Sequence, residues 1–301
     1  MLVAGVDENG LGPGLGPLVV TAVLMELSVE RESRLRLDRH RLPAGVGDSK
    51  QVFRRTPASY ADGESAALAM LASAGHAAPD LVATLDRVTR AADLRGGCDA
   101  GLGLHVAATE LPLWGGDPSP VTKSLTKARI RIVDIACRVL LPAGFNSVRT
   151  RPGGKLALDY QLFEEALALL SPRPELALLG KIGGTRFYGP WLGASRRLFG
   201  VDPLAEKPAE SRYRMLFDGE PLEMRFVRDG DATYLPIAAA SVIGKYLREA
   251  MMLCLNRALG FDAAIPHASG YWSDPKTREA IDRFDERLAT SIPRSSFLRN
   301  G

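Results

Sequence analysis

No stretch of this chain stays apolar for the about 18–20 residues that a membrane-spanning helix needs, which argues against a transmembrane protein. The amino terminus lacks the cationic segment and small-residue cleavage site of a secretory signal. Cysteine is scarce: Cys98, Cys137 and Cys254 are odd in number, far apart and without metal-ligand spacing. That argues against a disulfide framework or a cysteine-held metal and predicts reduced thiols in a cytoplasmic protein. Charge of one sign is missing as well. A net charge of +3 accommodates a nucleic-acid partner without demanding one. Repeats and low-complexity tracts are absent. What is left is a globular chain, 46% hydrophobic, with apolar material for a sizeable core.

One stretch stands out, MLVAGVDENGLGPGLGPLVVTAV at the start. An apolar run over residues 2–6 ends in Asp7 and Glu8; a glycine-rich loop over 9–17 leads into a second apolar run from Leu18. Adjacent side chains on a strand point to opposite faces, so the two acids converge only where the strand ends and twists into the loop. A hard cation such as Mg²⁺, held by carboxylate, water and phosphate oxygens, is one explanation of the pair. One solvated acid beside an Asx-turn is the other. As a dinucleotide fingerprint the loop is weak: two prolines interrupt it, a strand follows it, and the acids repel a pyrophosphate. A nucleotide-binding protein nonetheless stands as a competing class.

Further along, GVGDSKQVFRR at 45–55 places Asp48-Ser49 as an N-cap before a basic turn. The charged segment 30–41 reads as a connection or as solvated surface. Residues 57–170 read as mostly helical, with segments at 66–74 and 81–94 (the second capped by Asp80) and a loop over 96–117. The best helix is predicted over 123–141, with Leu125, Ala128, Ile132, Ile135 and Val139 at helical spacing. Lys123, Lys127 and Arg131 fall on another of its faces, either solvated or turned toward phosphate. Residues 176–179 suit a short strand, and GGTRFYGPW at 183–191 suits either nucleotide stacking or a packed turn. Alternating segments at 214–217 and 222–227 flank Asp218-Gly219, a hairpin signal. Residues 237–255 form a predicted helix whose Ala238, Ala239, Ala240 and Ser241 let it lie close to a sheet. An amphipathic helix over 275–288 follows, and the last dozen residues are expected to fray. Strands alternating with helices predict an α/β domain over 1–56 and 172–301, with a mostly helical insertion over 57–171.

Four motifs in order resemble the ribonuclease HII family. They are Gly5-Val6-Asp7-Glu8-Asn9-Gly10-Leu11-Gly12; Asp48-Ser49-Lys50; Gly230-Asp231 with Ala238 to Ser241, Lys245 and Arg248-Glu249; and Ser269-Gly270-Tyr271-Trp272-Ser273-Asp274-Pro275-Lys276-Thr277. The resemblance covers roughly residues 1–55 and 210–285. It implies a ribonuclease H-like mixed sheet flanked by helices. It also implies hydrolysis of RNA in RNA–DNA hybrids, or at ribonucleotides embedded in duplex DNA, with two Mg²⁺ or Mn²⁺ ions held by four carboxylates. Such chemistry activates a water and stabilises the leaving 3′-oxygen, the ions lying about 3.5–4 Å apart.

Carried over, Asp7, Glu8 and Asp231 fill three of the four ligand positions. Gly10, Leu11 and Gly12 hold the place whose backbone reads the ribose 2′-hydroxyl, the group that tells RNA from DNA. Leu11 stands where the family has arginine. Tyr271 matches a tyrosine that stacks on the neighbouring sugar, and Ser49 and Lys50 match a phosphate contact, as Lys245 and Arg248 do if they are not simply helix surface. The fourth carboxylate, which the family carries at the end of a central strand, is Asp218 in one register. In another, 176–179 is that strand and Gly180 holds the place; Asp159 is a remoter candidate. An incomplete site implies the alternative function, a hybrid-binding protein with weak or absent hydrolysis.

Overall fold

The computed structural model describes residues 1–26, 36, 45–90, 94–95, 99–148, 154–183 and 185–300. The charged segment at 30–41, apart from Arg36, and Cys98 lie outside them.

Eight strands are described: β1 (Leu2–Asn9), β2 (Leu18–Glu26), β3 (Leu94–Arg95), β4 (Arg131–Leu140), β5 (Leu176–Gly180), β6 (Leu198–Glu206), β7 (Glu210–Phe217) and β8 (Glu220–Val227). The helices are α1 (Ser49–Val52), α2 (Pro57–Ser73), α3 (Leu81–Thr89), α4 (Asp99–His105), α5 (Ser119–Lys127), α6 (Pro142–Val148), α7 (Gly154–Leu169), α8 (Gly189–Ala194), α9 (Gly230–Thr233), α10 (Leu235–Ala258) and α11 (Pro275–Arg287). The strands form one mixed sheet in the order β3-β4-β2-β1-β5-β8-β7-β6. β1, β5 and β8 run parallel at its centre, while β2, β4, β7 and β6 continue it antiparallel on either side.

Alternation along β1 sends Val3 to one core and Ala4 and Val6 to the other. On the Val3 side the sheet is covered by α2, α3 and α10; on the Val6 side by α6, α7 and α8. Helix α10 lies hard against β1, as its small residues predict. A Cβ placed on Gly5 would come within 2.0 Å of the Pro236 carbonyl carbon, so only glycine permits this approach.

Two expectations fail here. Residues 123–141 are not one helix: α5 stops at Lys127, Arg129 turns through φ 53°, and 131–140 is strand β4. Ile132, Val133, Ile135 and Val139 are β-branched and stiff in a helix. A strand largely buried on both faces fills consecutive positions with apolar side chains, so its pattern fits a helical period as readily as its own. β4 pairs with β2 along its length, from Leu18–Leu140 to Glu26–Arg131. Residues 57–171 therefore supply part of the central sheet and of both cores, and do not form a separate insertion. The supposed cationic stripe is split, with Arg131 paired to Glu26 at the start of β4.

The carboxy-terminal tail is not frayed either. Phe297, Leu298 and Arg299 are buried. Leu298 bridges to Leu15, and the Arg299 amide donates to the Gly14 carbonyl at 2.8 Å.

Candidate active site

The central parallel strands end on one edge of the sheet. Asp7 and Glu8 sit near the end of β1, and Gly180 ends β5 directly beyond the Val6–Leu179 pair. Val227 ends β8 opposite Gly180, and a short turn carries the chain to Asp231 in α9. One edge thus gathers acids that are far apart in sequence.

Asp7 and Glu8 converge over Gly180. The point where a Cβ would sit on Gly180 lies 2.8 Å from Asp7 Oδ1 and 4.0 Å from Glu8 Oε2. The absent side chain leaves room for both carboxylates. Ser241, in the small-residue turn of α10, lies beside the Asp7 carboxyl and lowers its pKa, and its hydroxyl donates to Ser49 Oγ at 2.9 Å. Asn9, buried beside them, donates to the Ser241 carbonyl at 3.2 Å. Asp48 caps α1 through the Lys50 amide at 2.9 Å. This places the Lys50 charge where it acts on both Glu8 and Asp231.

The electrostatics are those of crowded acids. Burial holds the Asp7 carboxyl well above the usual carboxylate range, and Glu8 and Asp231 add to the effect. Glu8 is pushed up to about 8, first by burial and then by Asp159. Asp231 is also raised, by burial and by Asp48. Asp159, on α7, is pushed up to about 8 by burial and by Asp7. It is fully buried, and neither of its carboxylate oxygens has a hydrogen-bond partner. Among the described residues, no three acids, histidines or cysteines are already drawn to metal-ligating distance. Even so, the donor set fits a hard divalent cation: all oxygen, mutually repelling, and including an orphaned buried carboxylate that a cation would satisfy.

Asp218 is not part of this arrangement. It occupies the β7–β8 turn with φ 51°, followed by Gly219 at φ 93°, the left-handed pair that a two-residue hairpin requires. Its carboxylate pairs with Arg173 at 2.7 Å and Arg197 at 2.8 Å. Because β8 runs from this turn toward Gly180, Asp218 lies at the opposite edge of the sheet, about 25 Å of extended strand away.

The glycine loop is buried except around Gly10 to Gly12, where Gly12 is exposed, with Tyr271 near Gly12 and Trp272 packed across Gly14. Both aromatics are about half exposed. The Gly270 carbonyl accepts from the Gly14 and Leu15 amides at 2.9 and 3.2 Å, tying the two loops together. Leu11, Gly12, Gly14, Trp272, Lys155 and Arg299 are among the residues lining a cavity of about 180 Å³. Arg248, expected near phosphate, is instead buried, donating to the Leu15 and Ser269 carbonyls, and Lys245 pairs with Glu249 at 2.7 Å. In the 183–191 stretch, Tyr188 stacks on Phe226 in the core while Phe187 is exposed. Ser241 and Trp272 lie inside the motifs quoted above but had no role assigned, and nothing in the sequence pointed to Arg299; Asp159, the remoter candidate, falls at buried helical spacing with Leu158, Leu162 and Phe163.

A ribonuclease HII family model matches residues 201–300, which contain Asp231, the small-residue turn of α10 and the Tyr271 loop. A ribonuclease HII of Clostridium acetobutylicum is 44% identical over 52 residues, spanning 17% of this chain and only 18% of that relative. The ribonuclease H2 of Pyrococcus horikoshii OT3 superposes with a TM-score of 0.52 at 19% identity, covering 99% of this chain and 92% of that one. The Archaeoglobus fulgidus ribonuclease HII, solved in complex with PCNA, gives a TM-score of 0.46 at 17% identity over 99% and 94% of the two chains. The chain thus has a ribonuclease H-like fold and carries the ribonuclease HII sequence signature over residues 201–300.

Proposed function

We propose that the protein is a divalent-metal-dependent endoribonuclease of the ribonuclease HII type, cutting RNA in RNA–DNA hybrids or at ribonucleotides embedded in duplex DNA. The observation that carries the reading is that Asp231, in the turn after β8, lies near enough to Asp7 and Glu8 at the end of β1 to raise the pKa of both. In this reading Asp7, Glu8 and Asp231 hold Mg²⁺ or Mn²⁺, which when bound activates water and stabilises the leaving 3′-oxygen. Ser241 favours the ionised form of Asp7. Lys50, on the helix that Asp48 caps and Ser49 ties to Ser241, offers a cation to the phosphate backbone. Gly10, Leu11 and Gly12 present backbone to a ribose 2′-hydroxyl, and Tyr271 and Trp272 give apolar faces for the adjoining nucleotide.

A duplex with a single ribonucleotide, incubated with Mg²⁺ or Mn²⁺, tests this. Cutting at the ribonucleotide that is lost in Asp7→Asn and in Asp231→Asn is the expected result. A second reading, a hybrid-binding protein without hydrolysis, is favoured by the bare Gly180 position. Tight duplex binding without cutting, indifferent to both substitutions, would establish that one instead.

A further inference from the structure

We infer that Asp159 is the fourth carboxylate of the metal site, supplied by helix α7 to the place that Gly180 leaves without a side chain. The inference rests on the metal-dependent reading above and deepens it.

Three observations converge. First, the strand-end position is bare: Gly180 abuts Asp7 in the parallel register, and its missing Cβ points between the Asp7 and Glu8 carboxylates. Second, strand direction places Asp218 at the other sheet edge, so that acid cannot supply the missing ligand. Third, Asp159 is fully buried with both oxygens unpartnered, in a helix whose other buried residues, Tyr160 apart, are the apolar Leu158, Leu162, Phe163, Ala166 and Leu167. A buried carboxylate left unpaired is strongly unfavourable. No capping duty explains it, because it lies beyond the first turn of α7. The charges around it are like charges, since Asp7 acts on Asp159 and Asp159 on Glu8. Helix α7 packs on the Val6 face of the sheet, to which alternation also directs Glu8. A divalent cation among Asp7, Glu8 and Asp159 would satisfy all of these groups at once. The carboxylate has, in this view, moved from the end of a strand to a helix laid across it.

Mn²⁺ titration by calorimetry on the full-length protein, alongside metal-free thermal melts, tests the assignment. Asp159→Asn is expected to weaken Mn²⁺ binding at least tenfold or to remove one bound ion, with no fall in the metal-free melting temperature. Adding Gly180→Asp to Asp159→Asn should restore binding, because the new carboxylate enters at the strand-end position. Wild-type Mn²⁺ affinity and stoichiometry in Asp159→Asn, with binding lost in Asp7→Asn, would overturn the inference while leaving the metal-dependent reading in place. No Mn²⁺ bound by the wild type would overturn both. Should Asp159→Asn fail to fold, Asp159→Cys provides a second readout. Cd²⁺ should then give a sulfur-to-metal charge-transfer band absent from the wild type, and its absence would also overturn the inference.

Discussion

Arg299, two residues from the end of the chain, holds the glycine loop from behind: its Nε and Nη2 donate to the Gly16 carbonyl at 3.0 and 2.7 Å. Nη1 donates to the Gly10 carbonyl, and the guanidinium lies 4.6 Å from the Phe145 ring centroid. Burial and the nearby Arg248 lower its pKa to about 9, which leaves it protonated at neutral pH. The Gly10 and Gly16 carbonyls turn inward to this cation, while Gly12 between them stays exposed.

Arg299→Ala should therefore strand two carbonyls, at about 1–3 kcal/mol each. The expected outcome is a lower melting temperature together with a raised KM for a ribonucleotide-bearing duplex. Arg299→Lys should rescue neither fully, since an ammonium cannot reproduce the forked contact. Stability loss with an unchanged KM would separate the clamp from substrate binding.

Asp218 and Asp231 should respond oppositely to substitution. Asp218→Ala breaks two partly exposed arginine pairs, worth about 0.2–1 kcal/mol each, and puts alanine at φ 51°. Melts should show a modest destabilisation, with cutting of the junction duplex retained. Asp231→Asn should leave stability equal or higher and abolish cutting.

Stability without added metal should fall as pH rises. Glu8 and Asp159 reach about 8 in the folded state, against ordinary values of 4.5 and 3.8. Between those limits the folded chain binds more protons than the unfolded one, so unfolding free energy decreases with pH. The contribution is fully present below about pH 4 and is lost as pH passes through about 8. Melting temperatures measured in chelator from pH 5 to pH 8.5 should decline. Added Mn²⁺ should oppose the decline, and more strongly at the higher pH, because binding releases protons.

Trp272→Ala should weaken duplex binding by about 1–3 kcal/mol if the indole stacks on a base, with little change in the melting temperature because the ring is half exposed. Fluorescence anisotropy with a labelled hybrid, repeated over a salt series, checks this. The salt slope should be unchanged, since a stacking contact releases no counterions.

Gly5→Ala should be among the most damaging single changes in the chain. The new methyl meets the Pro236 backbone, which cannot rotate away, so α10 must lift off β1. Overpacking of this kind costs about 1–3 kcal/mol and often more. A chemical denaturation series would measure it.

Much of this molecule follows from local sequence. The acid pair at the end of β1, the Asp48 cap, the Asp218-Gly219 turn and the small-residue face of α10 depend on neighbours a few residues away. Each was legible for that reason. Whether residues 131–140 become helix or strand was not, because an apolar run buried on both faces satisfies either period until β2 is there to pair with it. Nor could spacing show that Asp218 and Asp231 lie at opposite edges of the sheet; that depends on which way β8 runs beside β5. The burial of Arg299 beneath the glycine loop and of the unpartnered Asp159 under the sheet were likewise decided by tertiary packing. The chain's own chemistry put the acids in place along the sequence, and the direction of its strands chose which of them meet.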